Sequence, residues 1–297
     1  MENTNAVTIG VDLGGTRIKA VAIDAEGAVL QESYHSTHDG DDMVWKNVVA
    51  TAVQELQTGL KIERVNIGLS APGLPNDYNT CIMCMPGRMQ GLEYFNWSGF
   101  LNQPTYVLND AVAAMMGEAR FGAAKNKKNV VMLTLGTGVG GAILIDGKPY
   151  QGAMNKAGHI GHMVIDEDGD CDVAGMPGSL EECIGNCTIE KRSNGKFKST
   201  QDLLDAYRAG DSLAKDVWLK SVRRLGLGLA SVANILSPDV IVLGGGITQA
   251  GDDLFIPLRG FMKQFEWQPG ENTTPIVKAS YGDMAGAIGA ACFAMTK

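Results

Sequence analysis

Asp12 stands directly ahead of a glycine pair, in Asp12-Leu13-Gly14-Gly15-Thr16, and the apolar run Val7 to Val11 leads into it. A carboxylate at the carboxyl end of a buried strand faces whatever the next turn encloses, the best place for a metal-bound phosphate. The glycines permit positive φ and close backbone approach, so their N–H groups can face phosphate oxygens while Thr16 adds a hydroxyl. The device recurs at Gly136-Thr137-Gly138-Val139-Gly140-Gly141, with hydroxyls from Thr134 and Thr137. One such loop could be an ordinary hairpin turn. Two of them, each after a strand, point to a nucleotide gripped between related halves. No Gly-Lys-Ser/Thr follows, and Ile18 to Asp24 reads as a strand, so neither a Walker loop nor a dinucleotide fingerprint fits.

Asp110 follows the strand Pro104 to Leu108 and begins a small-residue helix, Ala111 to Phe121. From a strand end of an α/β protein a carboxylate can reach into a cleft and take a proton. Asn109 beside it can donate and accept hydrogen bonds, which suits a polyhydroxylated ligand. Either residue equally reads as a helix cap, and on the pair alone both readings stand. Gly244-Gly245-Gly246, after the strand Val240 to Leu243, clears side chains for a nucleotide base or forms a flexible turn. His159 and His162 lie three apart in a glycine-rich segment, with Glu181 heading a helix, a set able to bind sugar hydroxyls. Zinc would need four ligands; the chain offers His162, Cys171 and Asp172, with Val173, Ala174 and Ser179 where further thiols would stand. Cys81 and Cys84 form a Cys-x-x-Cys with no second pair, and read as two ordinary thiols.

The elements that must position these groups repeat. Three strands in a meander, Val7 to Leu13, Ile18 to Asp24 and Val29 to Ser36, precede a helix from about Asp41 to Thr58. A strand from Arg64 to Leu69 then stops at Ser70-Ala71-Pro72-Gly73. The second half opens with another strand pair, Asn129 to Leu135 and Gly141 to Asp146. Helices follow over Leu180 to Ser193, Thr200 to Ala209 and Leu213 to Leu236, and a last one over Met284 to Met295. The count is α/β and suggests a duplicated fold. At 297 residues and 45% apolar content the chain holds about two domains. A net charge of −8 argues against a nucleic-acid surface. No run is long enough for a membrane helix, and six cysteines form no disulfide framework, so a cytoplasmic protein is expected.

Together these motifs resemble the ROK family of sugar kinases and repressors, over nearly the whole chain. Asp12 to Thr16 with Lys19 is similar to the family's first phosphate motif, and Leu135 to Gly141 to its second. Asn109-Asp110 is similar to its sugar-binding Asn and catalytic Asp, and Asp239 to Gly246 to its nucleotide-base segment. The resemblance implies a two-domain actin-like ATPase (ribonuclease H-like) fold with duplicated βββαβα units. Residues 1–112 plus 284–297 would make one domain, and 113–283 the other. It implies phosphorylation of a hexose, glucose-like or N-acetylated, on its primary hydroxyl by ATP, with Asp110 as general base and magnesium near Asp12. Asn109, Gly73, His159, His162 and Glu181 would bind the sugar. Asp12, Gly14, Gly15, Thr16, Lys19, Thr134, Gly136, Thr137, Gly138 and Gly244 to Gly246 would bind the nucleotide. A homodimer is the implied assembly.

Two departures stand out. His159 replaces the Glu of the family's Gly-Glu-x-Gly-His, exchanging a double acceptor for one donor and one acceptor. The zinc motif Cys-x-Cys-Gly-x-x-Gly-Cys-x-Glu is reduced to Gly175-Met176-Pro177-Gly178-Ser179-Leu180-Glu181, with Cys171 out of register, so structural zinc is not expected. A sugar-responsive regulator is the first rival; the phosphate motif begins a dozen residues in, leaving no room ahead of it for a helix-turn-helix. A sugar-binding protein without turnover is the second, supported by His159.

Overall fold

A computed structural model describes residues 7–37, 42–85 and 89–297; Asp41, the expected start of the first helix, lies outside them. The opening meander forms as β1 (Thr8–Leu13), β2 (Arg17–Ile23) and β3 (Val29–Ser36), with Asp12 paired across the first hairpin to Lys19. After α1 (Asp42–Leu60) come β4 (Ile67–Ala71), a small hairpin of β5 (Leu74–Pro75) and β6 (Ile82–Cys84), and α2 (Trp97–Leu101). The half ends with β7 (Thr105–Asn109) running straight into α3 (Asp110–Arg120). Its sheet has the order β3-β2-β1-β4-β7, with β4 and β7 parallel to β1.

The second half repeats the plan. β8 (Val130–Leu135), β9 (Val139–Ile145) and β10 (Lys148–Pro149) are followed by α4 (Leu180–Ile184), α5 (Ile189–Arg192), α6 (Thr200–Arg208) and α7 (Ser212–Leu236). β11 (Val240–Gly244), α8 (Asp252–Phe265) and β12 (Ile276–Lys278) complete it. The order β10-β9-β8-β11-β12 is the first sheet's order again, third, second, first, fourth, fifth. Duplication legible as two glycine hairpins is therefore present as two sheets of one topology.

The chain divides into one unit of Met1–Asn126, Pro149–Ala157 and Ser280–Lys297, and another of Lys127–Lys148 and Gly158–Ala279. This differs from a boundary at 112/113, and the reason is α9 (Ala285–Ala294), which is apolar on every side and buried except at the partly exposed Gly286. A Cβ at Gly289 would overlap the Ala113 carbonyl, so α3 and α9 touch backbone to backbone and α3 stays with the first unit. Gly10 of β1 and Gly68 of β4 likewise leave no room for a side chain against the Ala287 and Ala290 carbonyls. Glu118 of α3 is fully buried and accepts the N–H groups of Ser280, Tyr281 and Ala123, at 2.7, 3.0 and 2.8 Å, fastening the returning segment. The first unit's core gathers Ile9, Val11, Ile67 and Leu69 around Trp45 and Trp97; the second's gathers Leu133, Leu225, Leu229, Ile241 and Leu243. Full burial of each aliphatic side chain contributes about 1.5–3 kcal/mol.

One expected helix is broken. Leu180 to Ser193 does not run through, because Gly185 takes φ −56°, ψ 147° and a 3₁₀ turn, Asn186–Thr188, separates α4 from α5. The break frees the Asn186 and Cys187 N–H groups to bond the Gly136 and Thr137 carbonyls, at 3.0 and 2.9 Å. Among the described residues no helix is long and apolar enough to cross a membrane.

Candidate functional site

In the first unit Asp12 lies near the end of β1, level with Ser70 on the neighbouring parallel strand. The Ser70 hydroxyl donates to Asp12 Oδ1 at 2.7 Å, and Lys19 Nζ lies 3.6 Å from Oδ2. Burial pushes the Asp12 carboxyl above its usual range, while the Ser70 hydroxyl and the Lys19 ammonium pull it back. Gly286, in the first turn of α9, leaves space for the carboxylate beside that helix's N-terminus, a favourable place for negative charge. Magnesium keeps several waters and takes one or two carboxylates beside substrate phosphates, and a single partly accessible carboxylate at a glycine turn fits that habit. Lys19, expected at the phosphates, is engaged with Asp283: Nζ donates to its carboxylate at 2.7 Å and to its carbonyl at 2.8 Å. Gly14 closes the turn by donating to the Arg17 carbonyl at 3.1 Å, Gly15 follows, and Thr16 is exposed.

Asp110 is exposed at the first position of α3, directly after β7. Asn109 is buried and does cap the helix, its Oδ1 accepting the Ala111 and Val112 N–H groups. Its amide also donates to the Gly73 carbonyl at 3.1 Å, and Gly73 has φ 97°, where a Cβ would press on the Cys84 carbonyl. Both readings touch this pair: Asn109 is the cap, and Asp110 is exposed with its Oδ1 also accepting the Ala111 N–H at 2.8 Å.

In the second unit Gly136, Thr137 and Gly138 form the β8–β9 turn, with Thr134 just inside β8. All three turn carbonyls are taken, by Asn186 N–H, Cys187 N–H and Gly136 N–H respectively. That leaves the Thr137 and Gly138 N–H groups as the turn's donors, an arrangement suited to an anion. A cleft of about 310 Å³ brings Gly136 and Thr137 together with Gly246, Thr200, Arg208 and Gln249. The three base-site glycines have separate duties. Gly244 packs near Met132, Gly245 has φ 86° with no room for a side chain against Leu135, and only Gly246 opens on the cleft.

Glu181 lies in the first turn of α4 and its Oε2 accepts the Val139 N–H at 2.8 Å, at a place where a Cβ on Gly138 would collide with it. His159 and His162 lie with rings nearly parallel and centroids 6.4 Å apart. His162 Nδ1 is 2.8 Å from Asp172 Oδ2, so in a neutral ring Nδ1 is the donor to the carboxylate and Nε2 the acceptor. Burial alone would raise the Asp172 carboxyl, but hydrogen bonds from His162, Met176, Ser179 and Ala174 outweigh it and hold the group below the usual range. Among the described residues no three His, Cys, Asp or Glu side chains gather as a metal set.

Sequence reasoning missed Ser70, Asp283, Gly286 and Asn186 as supporting residues. Ser70 could have been found from parallel register with Asp12; Lys19 and Asp283 are 264 positions apart and no local signal joins them.

The ROK family model matches residues 8–297. A glucokinase of Streptomyces coelicolor is 31% identical, with 96% of each chain covered. A xylose repressor of Bacillus spizizenii is 27% identical over 95% of this chain and 75% of its own length. The crystal structure of a ROK family glucokinase from Streptomyces griseus, in complex with glucose and AMPPNP, is similar at a TM-score of 0.82 and 27% identity. It covers 98% of this chain and 100% of its own. The two repeated units have the actin-like ATPase fold of such kinases, and the chain belongs to the ROK family.

Proposed function

We propose that this protein is a hexose kinase that transfers the γ-phosphoryl group of ATP to the primary hydroxyl of a glucose-like or N-acetylated hexose. Asp110 is the general base: it accepts the hydroxyl proton as the sugar oxygen bonds to the γ-phosphorus and the bond to the bridging oxygen of ADP breaks. A base of this kind is worth about 10² to 10⁴ in rate. Thr137 and Gly138 donate N–H groups to the phosphates, Thr16 and the Gly14-Gly15 turn are further phosphate contacts of this reading, and the base rests beside Gly246. Magnesium on the phosphates would neutralise the charge gathering there, with Asp12 holding it. Positioning and charge stabilisation carry most of the rate in phosphoryl transfer. Asn109, Gly73, His159, His162 and Glu181 are the sugar contacts, Glu181 through the oxygen not taken by Val139. A cytoplasmic homodimer is the setting this reading carries.

The observation that supports the reading most is the exposed Asp110 carboxylate at a strand-to-helix junction, beside the buried cap Asn109 and with the Ala111 N–H on its Oδ1. The test is ADP release across a panel of hexoses and acetamido-hexoses, with Asp110→Asn as the control. Sugar-dependent release lost in that variant supports the kinase. Sugar binding with no turnover on the whole panel would instead favour a non-catalytic sugar-binding or sugar-responsive protein, the reading that His159 and the repressor relative suggest.

A further inference from the structure

The family resemblance brings with it a structural zinc, and this chain does not fit one. With Gly175, Gly178 and Glu181 in register, Asp172, Ala174 and Ser179 stand where the motif's three cysteines fall. Zinc requires four nitrogen, sulfur or oxygen ligands in a tetrahedron. Ala174 supplies none, and Cys171, one place away, is exposed.

The same place is organised by another group. The Asp172 side chain is fully buried, and its Oδ2 bonds His162 Nδ1 at 2.8 Å. Its Oδ1 accepts the N–H groups of Ala174 at 2.8 Å and Met176 at 2.9 Å, and the Ser179 hydroxyl bonds the same carboxylate. One carboxylate thus ties together a histidine, the 174 and 176 backbone and position 179, using the acceptor capacity of both oxygens. The turn around it is closed by Asp172 N–H to the Met176 carbonyl and Gly175 N–H to the Asp172 carbonyl, at 2.9 and 3.0 Å, with Gly175 at φ 83°. Ser179 then caps α4, whose first turn carries Glu181.

We propose that Asp172 is a positioning residue that does by hydrogen bonding what zinc does in metal-bearing relatives: it fixes the 172–179 turn and the His162 ring, so the sugar site forms without a metal. The proposal rests on the sugar contacts assigned to His162 and Glu181 above. It requires the His162 proton on Nδ1, with Nε2 turned to a sugar hydroxyl as acceptor.

The purified full chain should contain far less than one zinc per chain, and sugar affinity measured by calorimetry should be unchanged after dialysis against EDTA. Asp172→Asn keeps an oxygen for the Ala174 and Met176 N–H groups but turns its amide toward His162 Nδ1, forcing the proton to Nε2. Nitrogen-detected NMR of the imidazoles should show that tautomer change. Sugar affinity should fall about 10- to 100-fold, the scale of loss when the orienting partner of a metal-ligating histidine is removed, with ATP KM and melting temperature little changed. If Asp172→Asn fails to fold, a chain carrying Asp172→Cys, Ala174→Cys and Ser179→Cys serves instead. It should take up one zinc, bind sugar, and lose sugar on chelation. Stoichiometric zinc in the parent protein, or an unchanged tautomer and sugar affinity in Asp172→Asn, would overturn the proposal. Zinc content and tautomer are read without turnover, so a protein that phosphorylates nothing would defeat the kinase reading and leave this one still decided by its own measurements.

Discussion

Replacing Gly286 by alanine separates the two demands that meet at Asp12. On helix propensity alone the change should stabilise α9 by about 1 kcal/mol. In the folded chain, however, the new Cβ would lie 2.5 Å from Asp12 Oδ1 and 3.0 Å from Ser70 Oγ, where ordinary contact begins at 3.4 Å. The helix cannot retreat, because its backbone already rests on β1, β4 and α3 at Gly10, Gly68 and Gly289. The carboxylate must withdraw by about 0.9 Å and let go of the Ser70 hydroxyl, a hydrogen bond to a charged group worth about 1.5–3 kcal/mol. The net is a loss of about 1 kcal/mol in stability. A catalytic group displaced by about 1 Å costs on the order of 10²-fold in rate, so kcat should fall about that far. Urea unfolding and steady-state kinetics with saturating sugar measure both. Full activity together with a raised urea midpoint would refute the idea that Gly286 exists to make room for Asp12.

Glu118→Ala leaves the N–H groups of Ser280, Tyr281 and Ala123 without their acceptor in a buried place, and should destabilise the protein by about 3 kcal/mol or more in denaturant unfolding. Backbone N–H groups of Asn129 and Lys128 hold the Asp239 carboxyl below its usual 3.8. Because its folded value is the lower one, its stabilising effect is present above the unfolded value and is lost as pH falls through the folded one. Melting temperature should therefore drop less steeply below about pH 4 in Asp239→Asn than in the parent. Nothing lies within 4 Å of a Cβ at Gly246, so Gly246→Val should fold normally while raising the KM for ATP about tenfold or more.

Much of this was legible in the sequence because it rests on local chemistry. Strands ending in Asp12 and Asn109, turns at glycines and the 3.6-residue spacing of α7 need only near neighbours to be read. What escaped depends on distant partners. The helix expected over Leu180 to Ser193 breaks because residues 186 and 187 serve a turn fifty positions earlier. The boundary expected at 112/113 moves because α9 returns to α3 through glycines that read only as small residues. The contact of Lys19 with Asp283 is visible only once the last segment is in place. Asp172 reads from the sequence only as a candidate zinc ligand, and its hydrogen bonds, not its type, show what it does.

The most direct measurement is single-turnover transfer of labelled γ-phosphate from ATP to sugar by Asp110→Asn, set beside its sugar affinity. The account predicts a rate lower by about 10² to 10⁴ with sugar binding retained. Transfer at the parent's rate would contradict it.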